Sequence, residues 1–200
     1  MAYRYKLNGD WRQRAAFDGR CYHVDVGAFS TAIVGGGNGT AVTADEPECV
    51  ISVPTGSVIL PLRVSVQCQT PLLVTDADEA EIILAWDQAA AQAGDGTSTA
   101  ETCLQMFGGS GSTSLCTATS AYTGAMTTPT LSVELARSVV TGDMNGTPAN
   151  ALWGKLGLLY VPETAPIIVG PAMLIIYWGG TVATNGFAQV EWLELLVGDL

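Results

Sequence analysis

The chain has 200 residues, enough for one well-packed domain, and no disordered linker divides it into two balanced halves. Only 14% of the residues are charged while 48% are apolar. An ordinary soluble domain carries roughly 25% charge, so part of this surface is expected to be buried against other subunits. The formal charge of −11 at pH 7 argues against a general nucleic-acid binder, which needs a basic face to neutralise phosphates.

The first twenty residues stand apart. Arg4, Lys6, Arg12, Arg14 and Arg20 face only Asp10 and Asp18, giving +3, and the other 180 residues carry −14. Tyr3, Tyr5, Trp11 and Phe17 interleave the basic positions. Residues 1–20 are therefore expected to form a basic, aromatic arm that docks on a protein surface, ahead of a single acidic domain over 21–200. Met1 is followed by AYRYKLNGDWRQR, which lacks the apolar stretch of a secretory leader. The longest apolar run, 166–178, holds 13 residues including Gly170 and Pro171, too short to span a bilayer. No membrane association is expected.

Taken in order, strands are expected at 22–26, 31–34 and 50–53. In VILPLRVSV (58–66) strict alternation places Val58, Leu60, Leu62, Val64 and Val66 on one face and Pro61, Arg63 and Ser65 on the other, with Pro61 implying an edge strand or a bulge. Residues 80–86 put Ile82, Leu84 and Trp86 inward and Glu81 outward. Further strands are expected at 131–140, 152–161, 167–178 and 187–197, the last with a phase shift and bulge near Leu193 and Glu194. Eight or nine strands without a long helical period predict an all-β fold, a jelly-roll-like two-sheet sandwich.

Two Gly-rich stretches interrupt the pattern, 35–47 and the long Gly/Ser/Thr-rich loop 93–129. A loop of that length must hide short strands or become ordered against a neighbouring subunit. The second is expected for its middle, where Leu104, Met106 and Phe107 would otherwise be apolar groups on a flexible tip, and these three are the candidate subunit-interface residues.

Chemical motifs are incomplete. GGGNGT (35–40) has neither the dinucleotide spacing nor the Lys of a phosphate loop. Asp76, Asp78, Glu79 and Glu81 begin like a calcium loop without its Gly and closing Glu. The five cysteines form no CxxC, and His23, the sole histidine, two residues from Cys21, lacks an orienting Asn or Asp. Glu191 and Glu194 lie on one strand, a poor glycosidase pair. The expectation is no catalytic residue, no metal, no cofactor and reduced core thiols.

The segments VPTGSVILPLRVSVQC (53–68), DEAEIILAWD (78–87) and VPETAPIIVGPAMLIIYWGGTVATNGFAQVEWLEL (161–195) resemble a group of tailed-bacteriophage virion proteins, the closing strand pair being the most specific part. The resemblance implies a jelly-roll capsid decoration, or cement, protein. Such a protein is usually trimeric, is made in the host cytoplasm, and sits on the exterior of an icosahedral head, clamping neighbouring major capsid protein subunits without touching nucleic acid. Arg4, Lys6, Trp11, Arg12, Arg14 and Arg20 are then the expected capsid contacts. A head fibre or receptor-binding sandwich is the alternative, with Trp153, Tyr160 and Tyr122 as candidate loop-tip aromatics. The 93–129 stretch has no counterpart in the group.

Overall fold

A computed structural model describes residues 15–28, 31–35, 42–69, 72–73, 79–88, 97–106, 113–123, 126–129, 132–141, 152–153, 156–181 and 184–199. After a helical turn at 15–17, the strands are β1 (Cys21–Val26), β2 (Ile33–Val34), β3 (Cys49–Val53), β4 (Ser57–Cys68), β5 (Leu72–Leu73), β6 (Glu79–Asp87), β7 (Thr97–Glu101) and β8 (Leu104–Gln105). They continue as β9 (Thr117–Thr123), β10 (Ser132–Thr141), β11 (Leu152–Trp153), β12 (Gly157–Tyr160), β13 (Ile168–Val169), β14 (Ala172–Gly180) and β15 (Asn185–Leu196).

The fold is all-β and built from two antiparallel sheets. One has the order β12-β4-β15-β1-β8, with β13 also on β4 and β2 on β15; the other is β10-β6-β14-β3-β9-β7. Of the eight main strands, β1, β4, β12 and β15 belong to the first sheet and β3, β6, β10 and β14 to the second; the chain changes sheet at every step except from β6 to β10, which pair with each other, and the first and last, β1 and β15, lie side by side. That is the strand order of a jelly roll. Between the sheets lies a core to which both contribute: Tyr22, Val24, Ile59, Val64, Val66, Val190 and Trp192 from the first, Ile51, Ile82, Leu84, Leu174, Ile176 and Trp178 from the second. Trp178 and Trp192 are fully buried.

Strand β14 reads as one unbroken apolar run because it is covered twice. Leu174, Ile176 and Trp178 face the core, while Met173, Ile175 and Tyr177 join Val50 and Met126 in a second cluster on the outer face. The chain itself makes that outer cover: the Tyr177 hydroxyl donates to the Ala44 carbonyl at 2.8 Å and the Met126 amide to the Asp45 carbonyl at 2.8 Å. A strand in mid-sheet with both faces covered loses the alternation that marks a half-solvated one.

Several expectations need correction. Residues 58–66 do not keep one phase, because Glu191 pairs with Arg63 but its neighbour Trp192 pairs with Pro61, leaving Leu62 as a bulge. Ile59, Val64 and Val66 face the core, whereas Leu60 and Leu62 join an outer cluster with Cys21, Leu193 and Leu195. Pro61 does mark a bulge, but β4 is an interior strand. The shift expected at Leu193 and Glu194 thus belongs to β4, and β15 alternates unbroken. The runs at 152–161 and 167–178 each divide: β11 pairs with β5 in a separate small sheet, and β13 lies on β4 while β14 enters the other sheet. The second division falls at Gly170–Pro171, whose peptide is cis.

The 93–129 stretch is not one loop. It contributes β7 and β9 beside β3 in one sheet, and β8 beside β1 in the other. Its sequence TSTAE is polar on both sides and shows no alternation, because β7 is an exposed edge strand.

Candidate interaction surface

The outer face of the first sheet is divided by the bulge at Leu62. On one side, Cys21, Leu62 and Leu193 form an apolar cluster against which Ala15, Ala16, Leu60 and Leu195 pack. The chain is tied down here: the Arg20 amide donates to the Ala15 carbonyl at 3.0 Å, and the Arg20 carbonyl accepts from the Glu194 amide at 2.8 Å. Residues 15–20 therefore belong to the sandwich surface.

Beside this cluster lies a shallow hollow of about 230 Å³ walled by Ala16, Leu62, Arg63, Met106, Val161 and Glu191. Large apolar side chains stand exposed nearby, Phe17 at 59%, Leu104 at 49%, Met106 at 45% and Val161 at 49%. Leu104 and Met106 are held there by β8, which pairs Leu104 with His23 and Gln105 with Tyr22, and by the Met106 amide donating to the Cys21 carbonyl at 2.9 Å. Two sets of expected contact residues thus meet at one place: the described end of the arm, with Arg20 half-buried, and Leu104 with Met106. Arg4, Lys6, Trp11, Arg12, Arg14 and Phe107 lie outside the described residues.

Beyond the bulge the same face turns polar. Arg63 Nη1 donates to Gln189 Oε1 at 2.6 Å and to Glu191 Oε1 at 3.0 Å, and Gln189 Nε2 donates to Asp25 Oδ1 at 2.9 Å. His23 and Cys21 are both on this face of β1, as their spacing predicts. The Cys21 thiol, however, is pushed up to about 11, first by burial and then by the negative charge of Glu191, so it stays protonated at neutral pH.

Glu194 and Glu81 are used structurally. Glu194 points inward from β15, opposite in sense to Glu191, and its carboxylate accepts from Ser114 Oγ at 2.7 Å and the Leu115 amide at 2.8 Å. The two carboxylates thus face different sides of one sheet and cannot flank a substrate. Glu81 is on the outer side as expected, yet its side chain is 7% exposed because Arg137 from β10 covers it. Glu79 meets Thr181 through its backbone, the amide donating to Thr181 Oγ1 at 2.6 Å, and its side chain is exposed; Asp76 and Asp78 lie outside the described residues. Among the described residues no three His, Cys, Asp or Glu groups are placed to hold a metal. No disulfide links the five cysteines. The Tyr122 hydroxyl bonds Thr119 and Tyr160 packs against the core, so the two do not gather at a loop tip, and the side chain of Trp153 is outside the described set.

No described helix is long and apolar enough to cross a membrane. The chain is therefore placed by its fold, an all-β two-sheet sandwich. No protein-family model matches it and no curated protein matches its sequence.

Proposed function

We propose that this is a structural protein of a tailed-bacteriophage virion, a decoration protein that binds the exterior of the icosahedral head and clamps adjoining major capsid protein subunits, acting as a trimer. The observation that carries this reading is the exposed Phe17, Leu104, Met106 and Val161 on the face that residues 15–20 cover, the described end of a twenty-residue sequence that is basic and aromatic. Contact by shape and apolar area suits an apolar patch, and rim attraction to an acidic partner suits the charges of the arm. A trimer presents each weak contact three times, so later engagements become effectively intramolecular and avidity rises without any strong single site. The role asks nothing of catalytic groups.

The experiment is decoration of purified, undecorated heads. The full chain is expected to bind at hundreds of copies per particle, and a variant starting at Ala15 to lose binding while unfolding at an unchanged temperature. Neutral replacement of Arg4, Lys6, Arg12 and Arg14 is expected to weaken binding and flatten its salt dependence. Unchanged occupancy by the shortened chain, or a few copies per particle, would refute this reading.

A further inference from the structure

The polar half of the outer face is built as a grid. Register aligns His23, Glu191 and Arg63 in one cross-strand row, Asp25, Gln189 and Ser65 in the next, and Phe187 with Gln67 in a third. Because directly opposed residues of antiparallel strands share a face, all eight side chains stand on one surface. Six of them, Asp25, Arg63, Ser65, Gln67, Phe187 and Gln189, line a cleft of about 310 Å³ on the sheet.

Two features make this more than a solvated sheet face. The side chains are held: Arg63 fixes the oxygen of Gln189 and Asp25 fixes its nitrogen, so the amide has one orientation before anything binds. The ring is held as well. It lies over Gly27, where a Cβ would come within 2.8 Å of Phe187 Cδ1, and Gly27 has φ +95°. Only a residue without a side chain leaves the ring that position.

Charge then selects the ligand class. The one guanidinium, Arg63, is already engaged by Glu191, and Asp25, 58% exposed, is the other charged wall. With acid and base interleaved, the cleft offers neither the unopposed cations a phosphate needs nor a carboxylate cluster for a metal ion. It offers alternating donors and acceptors, in Asp25, Gln189, Ser65 and Gln67, beside an aromatic face. That combination matches a neutral sugar ring, whose hydroxyls each donate and accept and whose C–H face stacks on an aromatic ring.

We infer that the cleft between β1, β15 and β4 binds a neutral pyranose saccharide, with Phe187 stacking under the ring and Asp25, Gln189 and Gln67 holding its hydroxyls. This goes beyond the capsid reading and does not depend on it: the cleft adjoins the apolar hollow on one sheet face and shares Arg63 with it, but Asp25, Gln67, Phe187 and Gln189 line the cleft alone.

The test is titration of the isotope-labelled full chain with glucose, galactose, N-acetylglucosamine and maltotriose, alongside inorganic phosphate and calcium as charged probes, followed by amide NMR. At least one neutral saccharide is expected to give saturable shifts confined to 25–27, 63–67 and 187–191, with a dissociation constant around millimolar, as suits an open cleft. Gln189→Ala and Gln67→Ala are expected to weaken it about tenfold or more with an unchanged melting temperature, as loss of a site's polar partners does. Gln67 is exposed, so its replacement tests binding even if Phe187→Ala disturbs the sheet. The inference is overturned if none of the four sugars shifts these amides at about 100 mM, if phosphate or calcium alone does so, or if both Gln variants bind as the parent does.

Discussion

Leu62 and Arg63 are neighbours in the chain and stand on the same face of β4, one in the apolar cluster with Cys21 and Leu193, the other in the polar network with Gln189 and Glu191. The extra residue lets Ile59 before it and Val64 after it both reach the core. Deleting Leu62 would send one half of the twelve-residue strand the wrong way, exposing Val64 and Val66 or Ile59. The deletion is expected to abolish the cooperative urea transition, whereas Leu62→Ala keeps the bulge and costs about 2–4 kcal/mol.

Arg137 binds two carboxylates, the covered one of Glu81 and the exposed one of Glu134 at 2.7 Å. Arg137→Leu leaves Glu81 without its cation and is expected to cost about 1–3 kcal/mol in urea unfolding at pH 7. Glu134→Gln should cost less, the pair being solvated. Hydrogen bonding to Arg137 holds the Glu134 carboxyl below its usual value of 4.5. Its contribution is therefore complete above that value and disappears as pH falls through the lower folded one. Urea midpoints of the parent and Glu134→Gln should converge on acidification, and a difference that persists at low pH would refute the pairing.

Glycines at 35 and 56 should respond very differently to a methyl group. A Cβ on Gly35 would meet the Trp178 carbonyl oxygen at 2.2 Å and the Thr184 oxygen at 2.7 Å, both backbone atoms. At Gly56 nothing lies within 4 Å, and only its φ of +86° opposes a side chain, in the turn where the Ser57 amide donates to the Pro54 carbonyl. Gly56→Ala is expected to cost about 1–2 kcal/mol, and Gly35→Ala clearly more, by thermal unfolding of the two side by side.

Burial raises the thiols of Cys21, to about 11, and Cys68, to about 12. At pH 8 these two should react with a disulfide reagent only slowly until denaturant is added. An unfolded thiol ionises near 9, while Cys21 keeps its proton until about 11. The contribution of Cys21 is present below the first value and is lost as pH rises toward the second, so Cys21→Ser should flatten the alkaline fall in stability. Fast labelling of the folded chain at both positions would contradict the burial of Cys21 and the partial burial of Cys68.

Leu104→Asp and Met106→Asp change side chains that are about half exposed. Each should leave monomer stability within about 0.5 kcal/mol. If the patch is a contact surface, each should also reduce self-association or head binding, measured by light scattering and sedimentation with particles. Unchanged association in both would remove the patch from the proposal.

The sheets themselves were legible because alternation survives wherever one strand face is dry and the other wet, as at Val24 and Val26 against Asp25. It failed where that premise failed. Around Leu62 an outer apolar cluster made both faces of β4 hydrophobic, so the bulge left no mark beyond Pro61. In 93–129 the edge strand β7 was polar on both sides and β8 only two residues long, so both read as loop. The sites were less legible than the sheets, since the Asp25, Arg63 and Gln189 network joins residues up to 164 positions apart, and only register brings them together.

The strands supplied by 97–123 also give the sandwich a handed perimeter. On their flank, the outermost strands are β7, five residues, and β8, two residues, while the opposite flank of the second sheet ends in β10, ten residues long. Main-chain pairing between molecules needs two edges of comparable length. A head-to-tail ribbon joining β10 to β7 or β8 would leave at least half of β10 unmatched at every step, whereas β10 matched with its own counterpart satisfies both copies at once. Among the described strands, then, edge pairing favours a closed two-fold match over an endless ribbon, so a trimer would be held by side-chain contacts and not by strand edges.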